Sequence, residues 1–369
     1  MTLAVEKLMT SYVKPGGILV RVTRYEGNPI IRTQDVKPTN DELEVIGVFN
    51  PGAVQSGDEV ILLLRVAEMA RQNESHVVAV PVVDPESEEI KVLHFPKESP
   101  DINLSDPRSV VYKGRTYLSC LSHLRVARSK GGIHFQVDDK PTFPPQGRYE
   151  TYGVEDPRIT ALPDGRFVIS YTAVSGFGIC VGLAETRDFK EFHRIGIVLP
   201  PDNKNVAVFP EKVNGSYIMM HRPSASHIGS SEIWLAFSND LKHWGEHSHL
   251  LGIRPGSWDS ARIGAGAPPV RTPEGWLAIY HGAKEQDNTY YLGAVLLDLD
   301  EPTKVLARSR EPIMSPQAPY EQTGFFSNVV FACGVVPTSD GKLRIYYGAA
   351  DEVTAVAEIT IDEVMDSLV

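Results

Sequence analysis

A polar turn followed by an aromatic or apolar run recurs six times along this chain, and that recurrence restricts the fold most. The copies are "QSGDEVILLLRVAE" (55–68), "YKGRTYLSCLSH" (112–123), "PDGRFVISYTAV" (163–174), "VNGSYIMMHRP" (213–223), "TPEGWLAIYHGA" (272–283) and "SDGKLRIYYGAA" (339–350). Each turn holds a glycine suited to positive φ, and each following run is strand-like. A short lead-in containing Pro or Cys-Gly precedes each turn: "FNPGAV", "SDPRSV", "EDPRIT", "FPEKV", "GAPPV" and "FACGVV". From Pro51 to Pro107, Pro157, Pro210 and Pro269 the steps are 56, 50, 53 and 59 residues. A second apolar strand follows the aromatic one, as in "ICVGLAET" and "YLGAVLLDL". Self-similarity at about 50 residues, with four strands per unit, predicts an all-β chain folded as a β-propeller.

An α/β barrel needs helical periods between its strands, and these are nearly absent. Helix is expected only in "VEKLMTSYV" (5–13) and "IDEVMDSLV" (361–369). The Pro-rich stretches at 95–107 and 141–145 read as loops between strands, so residues 1–369 are expected to form a single domain. No apolar run reaches the roughly 18 residues of a membrane helix. The N-terminal stretch has no signal-peptide pattern, and a cytoplasmic location is expected. Cys120, Cys180 and Cys333 each lie in an apolar run and are expected to be buried, reduced thiols.

Innermost strands of a propeller face a central axis, so equivalent residues some 50 positions apart should converge on one funnel. Those positions are Asn50, Arg65, Asp156, Arg158, Lys212, His221, Arg222, Tyr280, His281, Tyr346 and Asp351. The segment "EDPR" (155–158) has two readings. Asp156 caps a turn and pairs with Arg158, or it is a carboxylic acid of an active site, its pKa raised by burial or lowered by the arginine. The net charge of −11 argues against nucleic acid or an anionic membrane as partner. A site for an anion must therefore be assembled locally. Lys204, Lys212, His221, Arg222 and His281 supply such a cluster, of the kind that binds phosphate. Zinc held by His221, His281 and Asp156 is the competing reading, but no H-x-H or H-E-x-x-H spacing supports it, and no metal is expected. Trp258 and Asp259, in a glycine-rich loop, suit a sugar ring. Trp234 and Trp276 are expected in the core.

Several segments, taken together and in order, resemble glycoside hydrolase family 130, the β-mannoside phosphorylases and their hydrolase relatives. They are "GVFNPGA" (47–53), "LLLRVAE" (62–68), "ARSKGGIHF" (127–135), "GVEDPRIT" (153–160), "FPEKVNGSYIMMHRP" (209–223), "WDSARIGAGAPP" (258–269), "WLAIYHG" (276–282) and "IYYGAAD" (345–351). The resemblance implies five blades, whereas the repeats number six. It implies an inverting phosphorolysis: inorganic phosphate attacks the anomeric carbon of a terminal β-mannosyl unit, giving α-mannose 1-phosphate and a shortened acceptor. Asp156 would be the acid, relaying its proton through a mannose hydroxyl, and Glu155 receives no role. Phosphate would be held by Lys204, Arg222 and His281, with Lys212 close by. Lys204 stands where many relatives have arginine. Asn50, Arg65, Arg128, Arg158 and Asp259 would hold or surround the mannose. Phosphate is then a co-substrate, with no other cofactor.

Two alternatives remain. A β-mannosidase of the same family would need a carboxylate base, for which Glu211 and Asp259 are the candidates. A non-catalytic sugar-binding propeller would have no need of Asp156 beside a phosphate-type cluster. Linkage and acceptor should depend on rim loops at 84–104, 136–150 and 284–290. A homo-oligomer is compatible with the sequence, and residues 5–13 are the candidate contact helix.

Overall fold

The computed structural model describes residues 22–225 and 227–369; the helix expected at 5–13 lies outside them. The C-terminal helix is present as Ile361–Asp366. Thr360 caps it by accepting a hydrogen bond from Glu363 N at 3.1 Å, and the Glu363 carboxylate returns to Thr360. No helix among the described residues is long and apolar enough to cross a membrane.

The long strands fall into antiparallel sets. The first contains Leu43–Ser56, Glu59–Ala70 and Cys120–Ser129, edged by Gln136–Val137. Gly153–Ala161, Phe167–Ser175, Gly178–Thr186 and His193–Leu199 form the second. The third is Asn203–Val208, Tyr217–Pro223, Ile233–Ser238 and Gly245–Leu251. The fourth is Arg262–Ala265, Trp276–Ala283, Tyr290–Leu297 and Val305–Arg308. Val330–Pro337, Lys342–Ala349 and Val353–Thr360 make the fifth, whose outer strand, Thr23–Arg24, comes from the start of the described chain.

Successive sets pack face to face, which explains why their strands read as unbroken apolar runs. In "VILLLRV", Ile61 and Leu63 join Val154, Ile169 and Ala173 of the second set. Their alternates Leu62 and Leu64 join Tyr346 and Val356 of the fifth. Likewise Met219 meets the second set, while Ile218 and Met220 meet the fourth. Leu277, Ile279 and Leu292 pack on Leu343 and Ile345 of the fifth. The sets thus close in a ring, with the core in the layers between them.

The grouping into sets accommodates five of the six repeats, while a single parallel bridge between Gly153 and Ser122 joins the first two sets into one sheet. The discrepant repeat is "YKGRTYLSCLSH". Its turn forms as expected, with Tyr112 paired to Arg115 across Lys113 and Gly114 at φ 50° and 76°. However, Ser109–Tyr112 and Arg115–Leu118 belong to a small separate sheet with Ile102–Asn103, and Cys120–Ser129 joins the first set. A hairpin turn is legible there, but it marks an insertion at the rim.

Candidate active site

Three of the inner strands carry a bulge at the same point. Their ladders are interrupted between Phe49 and Gly52, Glu155 and Arg158, and Lys204 and Ala207. Within each gap sits a residue with left-handed backbone: Asn50 at φ 48°, Asp156 at 48° and Asn205 at 55°. Asn and Asp adopt this conformation more readily than other non-glycine residues, and a bulge re-aims its side chain. All three side chains line one cavity of about 410 Å³. The inner strands of the first two sets approach so closely that a Cβ on Gly52 would lie 2.8 Å from the Pro157 carbonyl oxygen. That proximity lets Asn50 Nδ2 donate to Asp156 Oδ1 at 2.9 Å.

Arg65 organises the acidic wall. Its Nη1 donates to Asp156 Oδ1 at 3.0 Å, Nη2 to Glu155 Oε1 at 2.8 Å and Nε to Ser122 Oγ at 3.1 Å. The guanidinium also lies over the Phe49 ring, 4.7 Å from its centroid. Burial pushes the Asp156 carboxyl up, but Arg65, Arg158 and the hydrogen bond from Asn50 outweigh it and hold the group below the usual range. Glu155 goes the other way, raised by burial and by Asp156 against the pull of Arg65. Asp351, also lining the cavity, is pushed up to about 7 by burial, with Asp156 and Glu155 adding repulsion against the attraction of Arg65.

The opposite wall is cationic. Lys204 and Arg222 are direct cross-strand partners. Burial lowers both, Lys204 below its ordinary range with Arg222 as second cause, and Arg222 to about 10. Arg262 donates Nε to Tyr290 OH at 2.7 Å, and both residues line the cavity. His281 is fully buried and held neutral, first by burial and then by Arg222 and the neighbouring cations. Its tautomer follows from its partners. Arg158 Nη2 lies 3.5 Å from Asn205 Oδ1, which leaves Asn205 Nδ2 facing His281 Nε2 at 3.2 Å. Nε2 therefore accepts, and the proton sits on Nδ1. Among the described residues, His281 Nδ1, Arg222 Nε and Asn50 Oδ1 are buried side-chain atoms without a hydrogen-bond partner. Buried polar atoms are ordinarily satisfied, so orphans gathered at one cavity point to a polar ligand.

The cavity thus brings together Asn50, Arg65, Glu155, Asp156, Lys204, Arg222, His281 and Asp351. Other expected residues lie elsewhere. Lys212 is exposed, its Nζ 3.4 Å from the Asn239 carbonyl oxygen and over the Tyr217 ring. The cause is register: the third bulge falls at Asn205, five residues before Pro210, so Pro210 is not equivalent to Pro157. Arg158 stands behind the cavity. It donates to the carbonyl oxygens of Asp156 (2.8 Å), Gly266 (3.0 Å) and Ala265 (3.0 Å), and so fixes the bulge rather than pairing with the Asp156 carboxylate. Arg128 braces the Phe189 carbonyl at 3.1 Å, away from the cavity.

Asp259 is fully buried between Arg254 (2.8 Å) and Arg308 (2.6 Å), and Tyr280 OH donates to it at 3.0 Å. Trp258 stacks on Tyr280 with centroids 5.5 Å apart, so this pair is core and not a sugar platform. Tyr346 donates to the Gly132 carbonyl and points into a layer between sets. Neither expected hydrolytic base faces the cavity, since Glu211 pairs with Arg271 at 2.9 Å. His221 bonds Asn203 and His247, apart from His281, and no group of three potential ligands is placed to hold a metal among the described residues. Trp276 is buried as expected, and Trp234 is partly buried. Cys180 and Cys333 are buried free thiols, but Cys120 is only partly buried and lines the cavity, its thiol pushed up to about 11 by burial.

Sequence reasoning misses Asn205, Arg262 and Tyr290, and it puts Asp351 at the funnel without a role. Asn205 has a signal: "FN", "ED" and "KN" end at the same point of three repeats.

The chain is similar to known proteins over most of its length. Residues 107–369 match the family model described as β-1,4-mannooligosaccharide phosphorylase. A β-1,2-mannobiose phosphorylase of Listeria innocua is 45% identical over 353 residues, covering 95% of this chain and 99% of that protein. A 1,2-β-oligomannan phosphorylase of a Thermoanaerobacter species is 43% identical over 256 residues, 67% of this chain and 82% of its own. The solved structure of the Listeria innocua enzyme with β-1,2-mannobiose superposes with a TM-score of 0.90 at 44% identity, covering 94% of this chain and 98% of that one. The chain belongs to glycoside hydrolase family 130.

Proposed function

We propose that this protein is an inverting β-mannoside phosphorylase whose co-substrate, inorganic phosphate, lies against Lys204, Arg222 and His281, joined by Asn205, Arg262 and Tyr290. The observation that carries this reading is the pairing of two walls across one cavity. Buried Arg222 and neutral His281, each with an unpartnered ring or guanidinium nitrogen, and half-buried Lys204 line the same cavity as a carboxylate cluster. Phosphate is already an anionic nucleophile and needs positioning more than a base. Glu211 and Asp259, the bases that a hydrolase would need, are both engaged outside the cavity.

In the reaction a phosphate oxygen forms the new bond to the anomeric carbon as the bond to the acceptor oxygen breaks on the opposite face. The leaving oxygen takes a proton from a mannose hydroxyl, which is resupplied by Asp156. Ionised Asp156 is then restored by a proton from the newly made phosphate ester, so the cycle closes. Asn50 and Arg65 hold the Asp156 carboxylate in place. In the free protein the arginines hold Asp156 below the usual carboxylate range, so it takes up a proton, from the bound phosphate monoanion, before it can serve as the acid; Asp351, pushed up to about 7, stands in the same cluster.

β-1,2-Mannobiose is the preferred disaccharide in this reading, supported by the similarity to the Listeria innocua enzyme across nearly the whole chain. A cytoplasmic location suits the reaction, because a sugar phosphate is retained there with its bond energy. The test is incubation with β-1,2- and β-1,4-mannobiose, with and without inorganic phosphate. Phosphate-dependent mannose 1-phosphate from the β-1,2 compound is expected. Free mannose formed equally without phosphate would overturn the reading.

A further inference from the structure

Outside the funnel, the fully buried carboxylate of Glu321 gathers hydrogen bonds from three parts of the chain. Its Oε1 accepts from Arg24 Nε and from the Tyr347 hydroxyl, both at 2.7 Å. Its Oε2 accepts from Arg24 Nη2 at 3.0 Å and from the backbone N–H groups of Gln317 and Ala318 at 2.7 and 2.9 Å. Arg24 lies in the outer strand of the fifth set, 297 residues away in sequence, and is only 9% exposed. Neither residue lines the funnel. A buried ion pair is a weak source of stability, because desolvation offsets most of its attraction; its best-attested use is to fix one arrangement of the groups around it. What this pair fixes is the stretch of chain that follows.

Residues 323–329 run as an irregular strap between the fourth and fifth sets, and Phe325, Phe326 and Val329 line the funnel. The strap is tied back to Glu321, whose carbonyl accepts from Val329 N at 3.0 Å. From there it reaches both walls. On the phosphate side, the Asn328 carbonyl accepts from Tyr290 N at 3.0 Å, and the Phe326 ring stands edge-on to Tyr290 with centroids 6.4 Å apart. On the carboxylate side, Phe326 N donates to the Ala350 carbonyl at 2.9 Å, and Ala350 N donates to the Val329 carbonyl at 3.1 Å. Asp351 is the next residue. Gly324 packs so closely on Ala350 that a Cβ there would lie 2.7 Å from both its Cβ and its carbonyl oxygen. Thr323, Phe325, Ser327 and Asn328 are exposed, so the strap depends on these anchors for its place.

We propose that Arg24 and Glu321 are a positioning pair for the reaction: through the strap they fix the separation between Tyr290 on the phosphate wall and Asp351 on the carboxylate wall. Neither member touches a substrate. An in-line displacement needs the nucleophile and the departing oxygen aligned together, and a misplacement of about 1 Å costs on the order of 10²-fold. Each wall alone still binds its own ligand when the strap shifts. The effect therefore falls on the transition state, lowering kcat with KM little changed. The proposal rests on the phosphorylase reading and adds a determinant of rate outside the funnel.

The test is steady-state turnover of β-1,2- or β-1,4-mannobiose, whichever the protein uses faster, well below the melting temperature and with each substrate varied in turn. Glu321→Gln keeps an acceptor for the backbone N–H groups but loses the charge that orders Arg24. Its kcat should fall about tenfold, while the KM values for phosphate and mannobiose each change by less than about twofold. Arg24→Gln should behave alike, and Arg24→Lys, which keeps a cation against the carboxylate, should recover most of the loss. Gly324→Ala displaces the strap with the pair intact. It should lower kcat in the same way with little change in melting temperature, and it carries the test if the other variants fail to fold. Variants that melt lower yet turn over at the unaltered rate would overturn the proposal, as would a normal kcat in Gly324→Ala. Free mannose formed equally without phosphate would remove the phosphorylase reading alone, and the same kcat comparison then decides the pair's role in hydrolysis. No turnover by the unaltered protein would overturn both.

Discussion

Lys204 and Arg222 stand directly opposite each other across an antiparallel ladder, a half-buried and a buried cation in register, and Arg222 Nε has no hydrogen-bond partner among the described residues. Like charges so placed destabilise a sheet. Their retention in a chain of net charge −11 makes sense when an anion completes the site. Stability given up by the empty protein is regained on binding.

Inorganic phosphate should therefore raise the melting temperature. A ligand that binds only the folded state adds about 2.7 kcal/mol at a hundred times its Kd. Differential scanning fluorimetry across a phosphate titration checks this. Lys204→Met should abolish most of the phosphate-dependent shift, yet melt no lower than the unaltered protein without phosphate. A variant that melts lower and still responds to phosphate would mean that Lys204 serves the fold and not the anion.

Arg222→Ala separates the two substrates. A charge-assisted hydrogen bond contributes roughly 1.5–3 kcal/mol, so the KM for phosphate should rise about tenfold or more while that for the mannoside moves little. Steady-state kinetics varying each substrate in turn reads the difference. Equal changes in both would place Arg222 against the sugar.

Asp156→Asn preserves the shape of the side chain and its contacts with Asn50 and Arg65 but removes the proton donor. Turnover on a mannobiose should fall by about 10²–10⁴, the usual contribution of a positioned acid, with little change in melting temperature. An aryl β-mannoside with an acidic phenol leaves without protonation, so its phosphorolysis should suffer much less. If both substrates lost activity alike, Asp156 would be holding the substrate and not donating to the leaving oxygen.

How much of the molecule is legible in the sequence follows from the repeat. Strand after strand is readable because burial on both faces leaves the continuous apolar runs seen in "VILLLRV". Convergence of Asn50 and Asp156 is readable because Asn-Pro and Asp-Pro mark the same bulge. The third repeat has its bulge at "KNVA", with no proline, and its nearest Pro210 lies in a different structural position. Hence the sequence points to Lys212 in the funnel and passes over Asn205. Residues at strand ends are harder still. Tyr280 and His281 are neighbours, but alternation sends one toward Asp259 and the other toward the cavity, and only register decides which.

Asp351 gives the protein a pH dependence with a definite sign. Its carboxyl titrates near 7 in the folded protein, against about 3.9 for an unfolded aspartate. Between those values the folded state keeps a proton that the unfolded chain has released, so stability falls as pH rises through that window. Asp351→Asn removes this burden, and asparagine tolerates the left-handed backbone at φ 52°. Its melting temperature should exceed that of the unaltered protein at pH 8 and by a smaller margin at pH 5. A difference independent of pH would show that Asp351 does not carry the linkage.

Asp259 tests the separation between scaffold and site. One buried carboxylate receives Arg254, Arg308 and the Tyr280 hydroxyl, and so ties the loop before the fourth set to its outer strand. Asp259→Asn leaves two arginines facing a neutral amide, and breaking a buried pair costs about 3–5 kcal/mol. The melting temperature should drop markedly, while the protein still folded at low temperature keeps its KM for the mannoside. The exposed Lys212 is the matching control: Lys212→Ala should change the melting temperature little and leave the KM for phosphate unaltered. A raised mannoside KM in folded Asp259→Asn would return that residue to the sugar site, where the sequence alone puts it.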